Sequence, residues 1–182
     1  MAQQENLKTS AQRAQAIERM IRVNHAGEFG AKRIYAGQLA VMGDRTPAAR
    51  SIAHMAEQEE RHLSAFDKMM TERGVRPTAL HPVWNVAGFA LGAVSAAIGP
   101  EAAMACTVAV ETEIDRHYSE QLAEIGDSDP ELSAMIEDFQ ADELEHKATA
   151  LEQGAERAPA YPLLSALVRM GCRTAIAVSK HI

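Results

Sequence analysis

Tyr35-Ala-Gly-Gln-Leu-Ala-Val-Met-Gly-Asp44 and Tyr118-Ser-Glu-Gln-Leu-Ala-Glu-Ile-Gly-Asp127 read as two copies of one helix end and turn. The offset is 83 residues throughout, and each turn closes on a proline, Pro47 and Pro130. Carried backward, the offset pairs Glu28 with Glu111. Carried forward with an offset of 84, it pairs Glu59 with Glu143 and His62 with His146. A repeat of this kind predicts architecture directly. Two matched helical hairpins form a four-helix bundle about an approximate twofold axis.

Working outward from the turns, the spacing predicts a helix over residues 10–42 with Ser10 as N-cap, after a frayed stretch over 1–9. A second helix runs to Arg73, where Gly74 stops it. A connection through Pro77 and Pro82 leads to an uncharged stretch over 81–100. A third helix spans 101–125, and a fourth ends near Gly154. Pro159 and Pro162 introduce a last apolar helix. The chain therefore reads as one domain over 1–182. Within it lie a first hairpin (10–73), an apolar segment (81–100), a second hairpin (101–154) and a C-terminal helix (160–182).

Composition agrees with an all-α, ferritin-like bundle. Of 182 residues, 47 % are apolar and only 4 % aromatic. Ala, Glu, Leu, Met and Gln abound, all good helix formers. The length suits a single substantial core. A net charge of −7 argues against nucleic-acid binding. Cys106 and Cys172 form no C-x-x-C pair, so they read as free thiols in a reducing compartment.

The repeat carries chemistry. Glu59-Glu-Arg-His62 and Glu143-Leu-Glu-His146 are both Glu-x-x-His pairs, and residues three apart share a helix face. A lone glutamate precedes each pair on the neighbouring helix. From Glu28 to Met42 is 14 residues, about 21 Å of rise, and from Ala48 to Glu59 is 11, about 17 Å. In the second hairpin the two arms are about 21 Å and 20 Å. Both halves therefore bring their carboxylates to similar heights. Glu28, Glu59, His62, Glu111, Glu143 and His146 match the four-Glu, two-His ligand set of di-iron carboxylate bundles. Four carboxylates balance two divalent ions, and carboxylate with imidazole suits iron or manganese.

Tyr35 and Tyr118 follow Glu28 and Glu111 by seven residues, two turns along the same face. They are either core tyrosines or neighbours of the site. His117 lies off the Glu111 face, beside the site at best. Asp142 either orients an imidazole across the site or is a solvated acid. His25, His54, His81 and His181 lack partners at a useful spacing and read as ordinary polar residues.

Two apolar segments bear on the chemistry. Residues 83–98 would form a helix of about 24 Å, short of the roughly 30 Å bilayer core. It is expected to lie in or dip into a membrane; a buried core helix is the alternative. The segment from Tyr161 carries Arg169, Arg173 and Lys180 with no acidic residue after Glu156. Basic apolar segments favour anionic membrane surfaces.

Beyond the ligand set, Arg22-Val-Asn-His-Ala-Gly-Glu28, His81-Pro-Val-Trp-Asn-Val-Ala-Gly-Phe-Ala-Leu-Gly-Ala93, Ala103-Met-Ala-Cys-Thr-Val-Ala-Val-Glu111, Asp142-Glu-Leu-Glu-His146 and Gly171-Cys-Arg173 resemble the demethoxyubiquinone hydroxylases of ubiquinone biosynthesis. The resemblance covers nearly the whole chain after the first dozen residues. It implies a di-iron monooxygenase that uses O₂ to hydroxylate the ring of a membrane-soluble demethoxyubiquinol or demethoxyubiquinone. It implies two irons on the six matching positions, with Tyr118 and His117 beside them. It also implies electrons from NADH or reduced quinone, and possible association with other ubiquinone-synthesis proteins. No G-x-G-x-x-G fingerprint locates an NADH contact. The expected setting is peripheral, on the cytoplasmic face of a bacterial inner membrane. The matrix face of the mitochondrial inner membrane is the alternative, for a mature organellar form, since residues 1–20 show no leader. A soluble ferroxidase or rubrerythrin-like peroxidase is the rival use of the same ligands.

Overall fold

The computed structural model describes residues 2–180. His181, read above as an ordinary polar residue, lies outside them. Six α-helices follow one another: α1 (Ala2–Met42), α2 (Pro47–Arg73), α3 (His81–Ile98), α4 (Pro100–Ile125), α5 (Pro130–Glu152) and α6 (Tyr161–Ser179). No strand occurs among the described residues. The all-α expectation is met.

The helix ends follow from their sequences. Pro47, Pro100 and Pro130 each open a helix, where a missing N–H leaves no bond unmade. Thr46 caps α2 by accepting the Ala49 N–H, and Asp129 caps α5 by accepting that of Leu132. Gly74 closes α2 in the left-handed conformation at φ 66°. One boundary differs from expectation. Helix α1 already runs from Ala2, so Ser10 sits within the helix and is not its N-cap. The preceding residues include Ala2, Gln3, Gln4, Glu5, Leu7 and Lys8, which sustain a helix through a single serine.

α1 packs on α2 and α4 on α5, which gives the two hairpins of the repeat. Each hairpin then adds one apolar helix on the back of its first member, α3 on α1 and α6 on α4. The α1–α3 contact is very close. A methyl group at Gly92 would run into the backbone carbonyl of Ile34, and one at Gly37 into that of Phe89.

The two added helices are not core helices. Among its 18 residues α3 buries only Gly88, Gly92, Ser95 and Ala96. Val83, Val86, Val94 and Ile98 of α3 are exposed, as are Leu163, Leu167 and Met170 of α6. By length and composition α3 is apolar enough to cross a membrane. The alternative of a buried core helix is therefore set aside for residues 83–98.

Candidate metal centre

Four helices each place acidic side chains at the centre of the bundle. α1 supplies Glu28, α2 Glu59 and His62, α4 Glu111, and α5 Glu143 and His146. All six are at most 1 % exposed. Their donor atoms fall into two groups within 4.8 Å: Glu28, Glu59, His62 and Glu143 in one, Glu59, Glu111, Glu143 and His146 in the other. Glu59 and Glu143 belong to both. The structure thus brings together every residue of the expected ligand set, as two overlapping groups that share two carboxylates and could each hold a metal ion.

Both imidazoles turn the same atom inward. His62 Nδ1 lies 3.3 Å from Glu28 Oε2 and 3.2 Å from Glu143 Oε1. His146 Nδ1 lies 3.1 Å from Glu143 Oε2 and 3.5 Å from Glu59 Oε1. Their Nε2 atoms face outward, that of His62 to Asp142 Oδ2 at 2.9 Å and that of His146 to Gln58 Oε1 at 3.1 Å. An outer hydrogen bond of this kind fixes ring orientation and tautomer for metal ligation. Of the two readings of Asp142, the geometry selects the one that orients an imidazole.

The two tyrosines cross between the halves of the repeat. Tyr35 O–H donates to Glu111 Oε1 at 2.5 Å, and Tyr118 O–H donates to Glu28 Oε1. Each therefore holds the lone glutamate of the opposite hairpin. His117 does not reach the centre. It is buried, and Gln121, which is paired with Asn24, approaches its Nε2 at 2.8 Å. Among the described residues it makes no hydrogen bond to any of the six. Burial, with Lys180 nearby, pulls its pKa down to about 4, so it is neutral at pH 7. His25 bonds Asp67 at 3.0 Å and stacks on His81, and His54 is exposed.

The electrostatics follow from burying four carboxylates together. Burial pushes Glu59 and Glu111 well above the usual carboxylate range, and repulsion from Glu143 adds to it. Glu143 is raised too, by burial first. Burial pushes Glu28 the same way, but hydrogen bonding and charge from His62 leave it below its ordinary value. Burial opposes a charged His62, yet Glu143 and Glu28 carry it up to about 10. Burial lowers His146. Glu59 Oε1 and Oε2 and Glu111 Oε2 are buried and accept no hydrogen bond. Buried carboxylate oxygens of this kind need a partner. Their number and position fit two divalent ions.

An apolar cavity of about 480 Å³ lies between α1, α3, α4 and α6. Ala26, Ile34, Trp84, Leu91, Ile114 and Leu167 form much of its wall. Gly27 and Val110, the chain neighbours of Glu28 and Glu111, also line it, so it runs along the two helices that carry those carboxylates. Cys172 lies in its wall, while Cys106 is fully buried. Both are free, and burial pushes each thiol up to about 12. They are free thiols, as the sequence spacing suggested.

Two features escaped the sequence reading. One is Gln58, the outer partner of His146. The other is Glu113, buried beneath Arg116, Arg169 and Arg173, which ties α6 to α4. The signal for Gln58 was present, since the 84-residue offset pairs it with Asp142. Of the partners of Glu113 only Arg116, three residues on along the same helix, is visible in sequence; Arg169 and Arg173 are not.

The family described as "Ubiquinone biosynthesis protein COQ7" matches residues 15–179. A Rhodospirillum rubrum protein named 3-demethoxyubiquinol 3-hydroxylase is 49 % identical over 169 residues, 93 % of this chain and 80 % of that one. A Mus musculus protein named NADPH-dependent 3-demethoxyubiquinone 3-hydroxylase, mitochondrial, is 52 % identical over 91 % of this chain and 78 % of its own. A Saccharomyces cerevisiae protein named 5-demethoxyubiquinone hydroxylase, mitochondrial, is 39 % identical over 91 % of this chain and 78 % of its own. From the matched residues and the identity at that coverage, the chain belongs to the COQ7 family of ubiquinone biosynthesis proteins.

Proposed function

We propose that the chain is a single-domain di-iron monooxygenase that hydroxylates the ring of a demethoxyubiquinol or demethoxyubiquinone in ubiquinone biosynthesis. The observation that carries the metal reading is the pair of overlapping Glu/His groups with unpartnered buried carboxylate oxygens. The substrate rests on the printed names of the relatives and on the apolar cavity beside the centre.

Glu28, Glu59, His62 and Glu143 would hold one iron, and Glu59, Glu111, Glu143 and His146 the other. Bound iron would supply O₂ activation and the electron transfer that ring hydroxylation needs. The chain's own groups do the rest. Asp142 and Gln58 hold the imidazoles with Nδ1 inward. Tyr35 and Tyr118 fix the rotamers of Glu111 and Glu28. The cavity orients the ring against α1 and α4 and excludes water. Its walls on α3 and α6 receive the isoprenoid tail.

The exposed apolar side chains of α3 and α6 support a peripheral membrane setting from which such a substrate enters. Several relatives are named mitochondrial, in keeping with a bacterial or organellar inner membrane. The electron donor is a reduced nicotinamide or the reduced quinone itself. The Mus musculus name specifies NADPH, which widens the expectation of NADH.

The test is a labelled-oxygen experiment. Reduced, iron-loaded protein with ¹⁸O₂ and a short-tailed demethoxyubiquinol should yield a product carrying one labelled atom in the ring. A ferroxidase would leave the ring unlabelled and oxidise only added iron. A peroxidase would need H₂O₂ and transfer no label. Either result would move the rival reading to first place.

A further inference from the structure

The repeat pairs residues of α2 and α5 that are 84 apart, and the pairing extends past the ligands. It matches Gln58 with Asp142, His54 with Asp138, and Arg61 with Glu145. Each Nε2 atom of the two imidazoles is met by the matched residue of the other hairpin. The geometry is conserved between the halves of the repeat, but the chemistry is not.

On the His62 side the surroundings are closed and charged. Asp142 accepts from His62 Nε2 at 2.9 Å. Arg61 lies across the outside, bonded to Asp142 and, at 2.6 Å, to Asp138. The Phe139 ring stacks on the His62 imidazole at 4.0 Å, and the Arg61 guanidinium lies over the same phenyl ring, 5.2 Å from its centre. On the His146 side the outer partner is the neutral amide of Gln58 at 3.1 Å. Among the described residues no arginine bonds Gln58; Arg50 lines this side but bonds the Arg45 carbonyl oxygen. His54, Gln58, Glu145 and His146 instead line a polar cleft of about 380 Å³ between α2 and α5.

With Nδ1 committed to a metal, Nε2 must carry the proton and donate it outward. Gln58 therefore presents its carbonyl oxygen. An imidazole that donates to a carboxylate becomes a more basic ligand than one that donates to an amide, because the carboxylate stabilises the charge drawn toward the metal. Two carboxylates share the single guanidinium of Arg61, so Asp142 keeps net negative influence on His62. The cleft also reaches His146 itself, whereas none of the other three residues of its group lines it.

We propose that the two metal positions are inequivalent. The His62 position binds a divalent ion more tightly and releases it more slowly, and the His146 position is the weaker, exchangeable one, reached from the α2–α5 cleft. This rests on the di-metal reading of the centre and adds a ranking of its two halves. It assigns the ranking to a single difference, Asp142 against Gln58.

The probe is Co(II), titrated anaerobically into the full-length metal-free chain and followed by calorimetry and visible absorption. Wild type should bind in two steps separated by about 10-fold or more in affinity, the range expected of a changed outer hydrogen bond. The isosteric Gln58→Glu should tighten the weaker step and narrow the gap, while leaving the Arg61 network untouched. Asp142→Asn should weaken the tighter step by about 10–100-fold. A chelator should strip one Co(II) from wild type well before the other. Two equal steps in wild type, or a Gln58→Glu titration identical to wild type, would overturn the ranking alone. Failure of Co(II) to bind at all would overturn the metal reading and the ranking with it.

Discussion

Replacing Glu111 by glutamine should stabilise the metal-free protein while disabling its metal centre. The substitution keeps the shape of the side chain and an oxygen for the Tyr35 hydroxyl, but removes the charge. In the metal-free fold, burial and repulsion from Glu143 hold the Glu111 carboxyl well above its ordinary value of 4.5. The unfolded chain loses that proton near pH 4.5 while the folded chain retains it. Above that pH the folded state is therefore penalised, by at most about 1.4 kcal/mol per pH unit until the folded group also ionises. At pH 7 the ceiling is roughly 3 kcal/mol. Below pH 4.5 both states are protonated and the penalty vanishes. Glutamine escapes it at every pH. The metal-free variant should melt about 3–10 °C above metal-free wild type at pH 7, and the difference should close as pH falls toward 4.5. Calorimetry on chelator-treated protein measures both. Added Fe(II) or Mn(II) should reverse the order, because binding to the native state raises the stability of wild type alone. A metal-free variant that melts at or below wild type at pH 7 would refute the reasoning, as would a gain unchanged at pH 4.5.

Other predictions follow from the packing around the centre. Gly92→Ala should destabilise the fold by about 1–3 kcal/mol despite the better helix propensity of alanine, since its methyl meets the Ile34 backbone; thermal denaturation checks this. Glu113→Gln should loosen α6 by leaving Arg169 and Arg173 without their counter-ion, which limited proteolysis between α5 and α6 would detect. In wild type the same tie should weaken only in strong acid, because burial is outweighed by the three arginines and the Glu113 pKa falls to about 2. Val86→Asp with Leu167→Asp, both on the exposed apolar surface, should weaken binding to vesicles containing anionic lipid by about 10-fold or more, leaving the helical content unchanged. Unaltered vesicle binding would remove α3 and α6 from the membrane account.

Much of this architecture is legible in one dimension because the repeat writes it twice. The 83-residue offset places two hairpins, and the Glu-x-x-His spacing places an imidazole and a carboxylate on one face whatever surrounds them. Helix boundaries set by proline, glycine and capping side chains at Pro47, Gly74, Pro130 and Thr46 also follow from local chemistry. The start of α1 does not, because an exposed serine stops a helix only weakly against good helix formers on either side. Contacts between distant elements are equally hidden. Tyr35 could have paired with the glutamate of its own helix; its hydroxyl crosses instead to Glu111 of α4. The clamp on Glu113 needs α6 folded back onto α4, and no periodicity announces that. For His117 the helix face read from sequence pointed away from the centre while the resemblance implied a place beside it; the structure sets it against Gln121.

The central claim is that six side chains from four helices hold two irons in one buried centre. Crystals of the iron-loaded protein, measured on both sides of the iron absorption edge, test it most directly. Two anomalous peaks are predicted, one among Glu28, Glu59, His62 and Glu143, the other among Glu59, Glu111, Glu143 and His146. A single peak, or iron bound only at surface residues, would contradict it.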